Sequence, residues 1–117
     1  MDKHELQKRL KNFAHRCFKL ADTLPNSPTG KYFQNQLIRA AFSAAANYRA
    51  ACIGQSRAAF IAKLSIAFEE SDECVFWLEN IIELGLATKE RTESLHKESI
   101  ELAKILAASR KNSRQAV

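Results

Sequence analysis

Apolar positions in this chain recur at alternating steps of four and three, and they do so in four separate stretches. Leu6, Leu10, Phe13, Cys17, Leu20 and Leu24 make the first series, widened by Ala14 and Ala21. This spacing keeps side chains on one face of a helix, because the chain turns once every three to four residues. A first helix is expected over about residues 3–23, broken by LPNSPTG with its two prolines and one glycine. A second begins near Lys31 and runs to Cys52, with Gly54 placed to end it in the left-handed conformation. Ser56 can cap the third, RAAFIAKLSIAFEESDECVFWLENIIEL, by accepting a backbone N–H. One stripe of that helix is Phe60, Leu64, Ala67, Ser71, Cys74, Leu78 and Ile81, and a second is Ile61, Phe68, Val75 and Ile82. Gly85 reads as its stop and Thr88 as the N-cap of a fourth helix carrying Leu95, Leu102, Ile105 and Leu106.

Connections this short force consecutive helices to lie antiparallel. The pattern predicts an all-α, up-down-up-down four-helix bundle over residues 1–110, followed by a frayed polar tail over 111–117. No stretch reads as a strand. A chain of 117 residues is one domain, and its three glycines and two prolines leave few places to turn, in keeping with long helices. Hydrophobic residues at 46% and charged residues at 26% are values of a folded globular chain. The opening MDKHELQKRLKNF has no apolar core of a secretory signal, and no run approaches the roughly 18 apolar residues of a membrane span. Cys17, Cys52 and Cys74 lie 35 and 22 residues apart, with neither metal-ligand nor redox spacing. They read as buried free thiols of a reducing compartment, so the expected location is cytoplasmic.

Charge changes this picture because it is segregated. Residues 1–30 carry +3, residues 31–57 carry +4 with no acid at all, residues 58–87 carry −5, and the remainder +3, for a net +5. The second and third segments should attract each other. Arg39, Ser43 and Asn47 recur every four residues along the otherwise small and apolar RAAFSAAANYRAA. In an antiparallel hairpin turning near Gly54, paired positions add up to about 109, which sets Arg39 opposite the acidic EESDE and Gln36 opposite Glu73. Glu69 and Glu73 share one face of the third helix. The expected polar network is therefore Gln36, Arg39, Ser43, Asn47, Glu69 and Glu73, with Ser43 and Asn47 reaching across where alanines let backbones approach. Were the Arg39 pair buried, removing one partner would cost about 3–5 kcal/mol by stranding a charge.

Catalytic chemistry finds no foothold in these residues. Di-metal carboxylate bundles need Glu-x-x-His on two helices, and EESDE has no histidine at that spacing. His4 and His15 are eleven apart, too far for one metal ion, and read as surface residues, as does His96. There is no Gly-rich phosphate loop and no Ser–His–Asp order. No catalytic, cofactor-binding or metal-ligating set is expected. CVFWL, by contrast, is apolar for five consecutive residues, which leaves at least one of Phe76 and Trp77 facing water. Either the Trp lies against a neighbouring helix, or Phe76 and Trp77 belong to a subunit interface, the preferred reading.

QLIRAAFSAAANYRAA followed by SRAAFIAKLSIAFEESDECVFWLE resembles the four-helix bundle proteins first noticed in intervening sequences of 23S ribosomal RNA genes, once labelled S23 ribosomal proteins. The matching positions are Gln36, Arg39, Ala40, Ala41, Ser43, Asn47, Ser56, Phe60, Ile61, Leu64, Ala67 and Glu73, within a likeness spanning about residues 5–110. Tyr48, Arg49 and Ala50 stand where many relatives have Ala-Glu-Gly, and Glu69–Glu70 where others have Gly-Ser. The resemblance implies a left-handed bundle that assembles as a homopentamer and has no known enzymatic activity. A branch similar in fold, the accessory protein of diversity-generating retroelements, is associated with RNA and a reverse transcriptase through basic surfaces.

Two functions follow as expectations. One is an oligomeric scaffold that binds RNA, with Lys8, Arg9, Lys11, Arg16 and Lys19 on the first helix, Arg49 on the second, and Arg110, Lys111 and Arg114 near the end as candidate contacts. No aromatic residue is evidently interleaved with these for base stacking. The other is a protein-interaction module with no nucleic-acid role, using the CVFWL patch.

Overall fold

The computed structural model describes residues 1–115, in four helices: α1 (Lys3–Ala21), α2 (Pro28–Cys52), α3 (Arg57–Glu83) and α4 (Lys89–Gln115). Each starts where a short polar side chain can accept orphan backbone N–H groups. Asp2 accepts from Glu5 N at 2.8 Å, Ser27 from Gly30 N at 3.1 Å, Ser56 from Ala59 N at 3.0 Å and Thr88 from Arg91 N at 3.3 Å. α2 starts three residues earlier than its apolar pattern implied. Pro28 does not break the helix but opens it, since the N–H of a first-turn residue has no intrahelical acceptor and its absence costs no hydrogen bond. Gly30, buried in that turn, lies so near the Pro25 carbonyl that a Cβ there would sit 1.8 Å from its oxygen.

Gly85 ends α3 in the left-handed conformation, at φ 66°. Gly54 does not adopt it. α2 closes through Ile53 at φ −102°, with Gly54 N donating to the Ala51 carbonyl at 3.0 Å. α4 also departs from expectation, running on as regular helix to Gln115 beyond the boundary at residue 110. The Arg57 guanidinium donates to the Ser113 carbonyl and Arg110 lies 4.5 Å over the Phe68 ring, which anchors the turns that composition alone suggested would fray. The last two residues of the expected tail, 116–117, lie outside the described residues.

Cross-links run in opposite chain directions along each seam, so neighbours are antiparallel. Arg9 meets Glu98 while Arg16 meets Ser94, and on the α3–α4 side Arg57, Phe68 and Glu79 meet Ser113, Arg110 and His96. α2 and α3 form the most extensive seam and α1–α4 the sparsest, closing a ring 48 Å long and about 20 Å across. The first helix buries Leu6, Leu10, Phe13, Cys17 and Leu20 as its spacing predicts, and α3 buries Leu64, Ala67, Ser71, Cys74, Leu78 and Ile81. α2 contributes mainly small residues, Ala40, Ala41, Ala44 and Ala51, beside Leu37 and Tyr48. No helix among the described residues is long and apolar enough to cross a membrane.

Two of the three thiols are core atoms. Burial pushes the Cys17 thiol up to about 12 and holds Cys74 well above the usual thiol range, whereas Cys52 is only half-buried. At pH 8 a thiol reagent should label Cys52 first, with Cys17 and Cys74 reacting only as the protein unfolds. A pKa raised by folding stabilises fully below the unfolded value near about 8.5 and stops doing so as pH rises toward the folded value. Chemical denaturation between pH 7 and 10 should therefore show a decline in stability that shrinks in Cys17→Ala.

Candidate nucleic-acid interface and the ionic seams

Arg39 faces the acidic run of α3. Its Nη1 donates to Glu70 Oε2 at 2.8 Å, its Nη2 to Glu73, and its Nε more distantly to Gln36 Oε1 at 3.4 Å. The indole N–H of Trp77 donates to the same Glu73 oxygen at 2.9 Å, so that carboxylate joins two helices and an aromatic ring. Glu70, not Glu69, completes the network, and Glu69 is exposed outside it. Residues 70 and 73 flank the buried Ala67–Ser71–Cys74 line on its α2 side, whereas 69 lies outward. The Arg39 side chain is 48% exposed, so the pair sits at the rim of the seam, where solvent screens it. Ser43 and Asn47 do not cross to α3 either. Asn47 Nδ2 donates to the Ser43 carbonyl at 2.9 Å and to its hydroxyl at 3.1 Å, within one helix.

A second ionic seam was not anticipated. Arg9 on α1 forks onto Glu98 of α4, Nε to Oε2 at 2.8 Å and Nη2 to Oε1 at 2.7 Å, and also reaches Glu101 at 2.9 Å. These carboxylates raise the already high pKa of the guanidinium, and the Arg9 and Glu98 side chains are mostly buried. Two parallel bonds to one carboxylate fix orientation as well as charge. With its donors spent inside the bundle, Arg9 is withdrawn from the candidate nucleic-acid contacts. Arg110 stacks on Phe68, and Arg16 donates to Ser94 Oγ at 2.7 Å. His96, read as a surface residue, is half-buried between α3 and α4, with Nε2 3.6 Å from Glu79.

The remaining cations sort by position. Lys8 and Lys11 on α1 and Arg49 on α2 line one groove between these helices, of about 570 Å³, together with His4, His15, Phe42 and the small Ala45 and Ala46. His15 and Phe42 also border an adjoining hollow with Phe18 and Lys19, so the groove continues along α1. None of the lining residues is acidic. Among the described residues Lys8, Lys11, Lys19 and Arg49 have no carboxylate partner, and all four are exposed. Lys111 and Arg114 are exposed on the last turns of α4. Aromatic rings thus are interleaved with the basic residues, which helix spacing along α1 alone did not reveal because Phe42 comes from α2.

A second surface is aromatic. Trp77 is half-buried, packed edge-on to Tyr32 and Phe33 with ring centroids 5.8 and 5.7 Å away. Phe76 leans on Trp77 at 5.1 Å and remains 54% exposed, as does Tyr32 at 53%. The Trp therefore serves the α2–α3 seam, while Phe76 and Tyr32 face outward.

These features define a four-helix bundle tied by ionic clamps and bearing an acid-free basic groove between α1 and α2. A family profile described as 23S rRNA-intervening sequence protein matches residues 2–108, and the chain belongs to that family. Its fold is similar to the crystal structure of a protein of unknown function from the S23 ribosomal protein family of Bacteroides thetaiotaomicron. The two share 35% identity and a TM-score of 0.86, over 95% of this chain and 99% of that one. No functionally curated protein matches the chain.

The two clamps differ in depth, and their removal should differ accordingly. Arg39→Ala should cost about 1 kcal/mol, lowering the melting temperature by a few degrees, with a smaller effect in 1 M salt. Arg9→Ala should cost about 2 kcal/mol because it strands the half-buried Glu98, and Arg9→Lys should recover only part of that. Thermal melts followed by circular dichroism read both, and a larger loss for Arg39 than for Arg9 would contradict the assignment.

Proposed function

We propose that this protein is a non-catalytic, oligomeric RNA-binding scaffold whose RNA contacts line the α1–α2 groove. One observation carries the reading: four exposed cations, Lys8, Lys11, Lys19 and Arg49, share a continuous groove without an acid among its lining residues. Arg9 and Arg39, by contrast, are spent on carboxylates in the seams between helices. A phosphate backbone is the ligand that gains most from such a strip, through release of its condensed counterions. The fold-level resemblance to the retroelement accessory protein, associated with RNA through basic surfaces, points the same way. Free thiols suit the reducing cytoplasm in which such a protein would meet RNA.

Assembly is the second half of the proposal. Phe76 and Tyr32 leave two aromatic rings more than half exposed beside Trp77, a composition typical of interface cores. The homopentamer implied by the resemblance would repeat the basic groove around a ring and multiply modest contacts by avidity. Sedimentation velocity of the wild type should give an oligomer and Phe76→Arg a smaller species. A wild-type monomer at micromolar concentration would refute the assembly.

Binding to structured RNAs is tested by gel shift at physiological salt. A dissociation constant well below ~10⁻⁴ M is expected, weakening steeply with added salt. Arg49→Glu should weaken it about tenfold, and the pair Lys111→Glu and Arg114→Glu far less. The opposite order would move the site to the end of α4, and affinity no better than the non-specific level would end the RNA reading.

A further inference from the structure

Charge accounts for only part of the α1–α2 groove. His4, Lys8, Lys11, His15 and Lys19 follow one another along a single face of α1, a stripe about 22 Å long at ~1.5 Å per residue. Three rings stand along this stripe, among the lysines. Phe42 of α2 is 38% exposed and Phe18 of α1 is 54% exposed. The His15 ring lies between helices, 6.0 Å from Phe42 with a tilt of 37°. Both phenylalanines border the groove and neither belongs to the buried core. On the α2 side, Ala45 and Ala46 keep the groove floor low, so the rings stand clear of it.

Resting on the RNA reading above, we infer that this groove takes unpaired nucleobases, so that its ligand is a single-stranded segment or loop and not a duplex. A double helix offers only phosphates and sugar edges to a side chain lying flush with a protein surface, and its stacked bases are out of reach of a phenyl ring. Against a duplex the Lys and Arg residues would be used and the aromatic rings would be idle. A single strand uses both. Its phosphates lie along Lys8, Lys11, Lys19 and Arg49, while splayed bases stack on Phe42, Phe18 and the imidazole of His15. Every base presents a π face, so the groove tolerates many sequences.

The test compares a 5′-labelled 12-nucleotide unstructured RNA with a 12-base-pair RNA duplex by fluorescence anisotropy at about 0.15 M salt, using the full chain. The single strand should bind at least about tenfold more tightly. Phe42→Leu, which keeps apolar bulk without a π system, should weaken single-strand binding about fivefold or more and leave duplex binding unchanged. Phe42→Tyr should restore it, and Phe18→Leu should act in the same direction as Phe42→Leu. Duplex binding equal to or tighter than single-strand binding, with Phe42→Leu silent on both, would overturn the inference while leaving the RNA reading intact. Failure of both RNAs to bind, with Arg49→Glu also silent, would overturn the two together.

Discussion

Close approach of α2 to α3 is the constraint on which the rest of this structure depends. Ala40, Ala41, Ala44 and Ala51 present almost no side-chain bulk to the core, so the two backbones can pack closely. Small residues inward leave larger ones of the same helix to find other places. Phe42 and Arg49 emerge on the α1 side, and Tyr32 and Phe33 beside Trp77 on the other. The surface chemistry of α2 is thus a consequence of how its core face was economised.

Charge distribution follows the same geometry. The acid-free stretch from Lys31 to Arg57 faces the acidic stretch of α3, and Arg39 reaches Glu70 and Glu73 at the rim of that contact. Arg9 does for α1 and α4 what Arg39 does for α2 and α3, at greater depth and on the sparsest seam. Both clamps lie in their seams, one half-exposed and one mostly covered, and each gives orientation more than net stability. Among the cations they leave over are Lys8, Lys11, Lys19 and Arg49, which share a groove between α1 and α2 that no carboxylate lines. The gathering of these four cations is therefore set by the topology that brings α1 beside α2.

How much of this could be read from the residues alone differs by feature. The helices were legible because an apolar stripe at steps of three and four has one physical meaning, and Ser56, Thr88 and Gly85 act at helix ends as their side chains, or lack of one, dictate. Facing of Arg39 and the acids was legible because a short turn sets a register. Selection of Glu70 over Glu69 was not, since spacing puts Glu69 and Glu73 on one face without showing that Arg39 reaches α3 at the flank of its buried stripe, where Glu70 lies and from which Glu69 points outward. Gly54 shows the limit of a residue-type argument: a glycine permits the left-handed conformation without requiring it. The tail was misread because the partners that hold it, Arg57 and Phe68, belong to another helix.

Local spacing, end-capping chemistry and charge segregation thus determined by themselves that this chain forms four antiparallel helices and that its second and third attract, because each depends on neighbours within a turn or a hairpin. Tertiary packing alone decided that Arg9 is consumed between α1 and α4 and that Phe18, His15 and Phe42 share a groove with the free cations. No short loop sets the register between α1 and α4, and a groove with walls from two helices has no periodicity along either one.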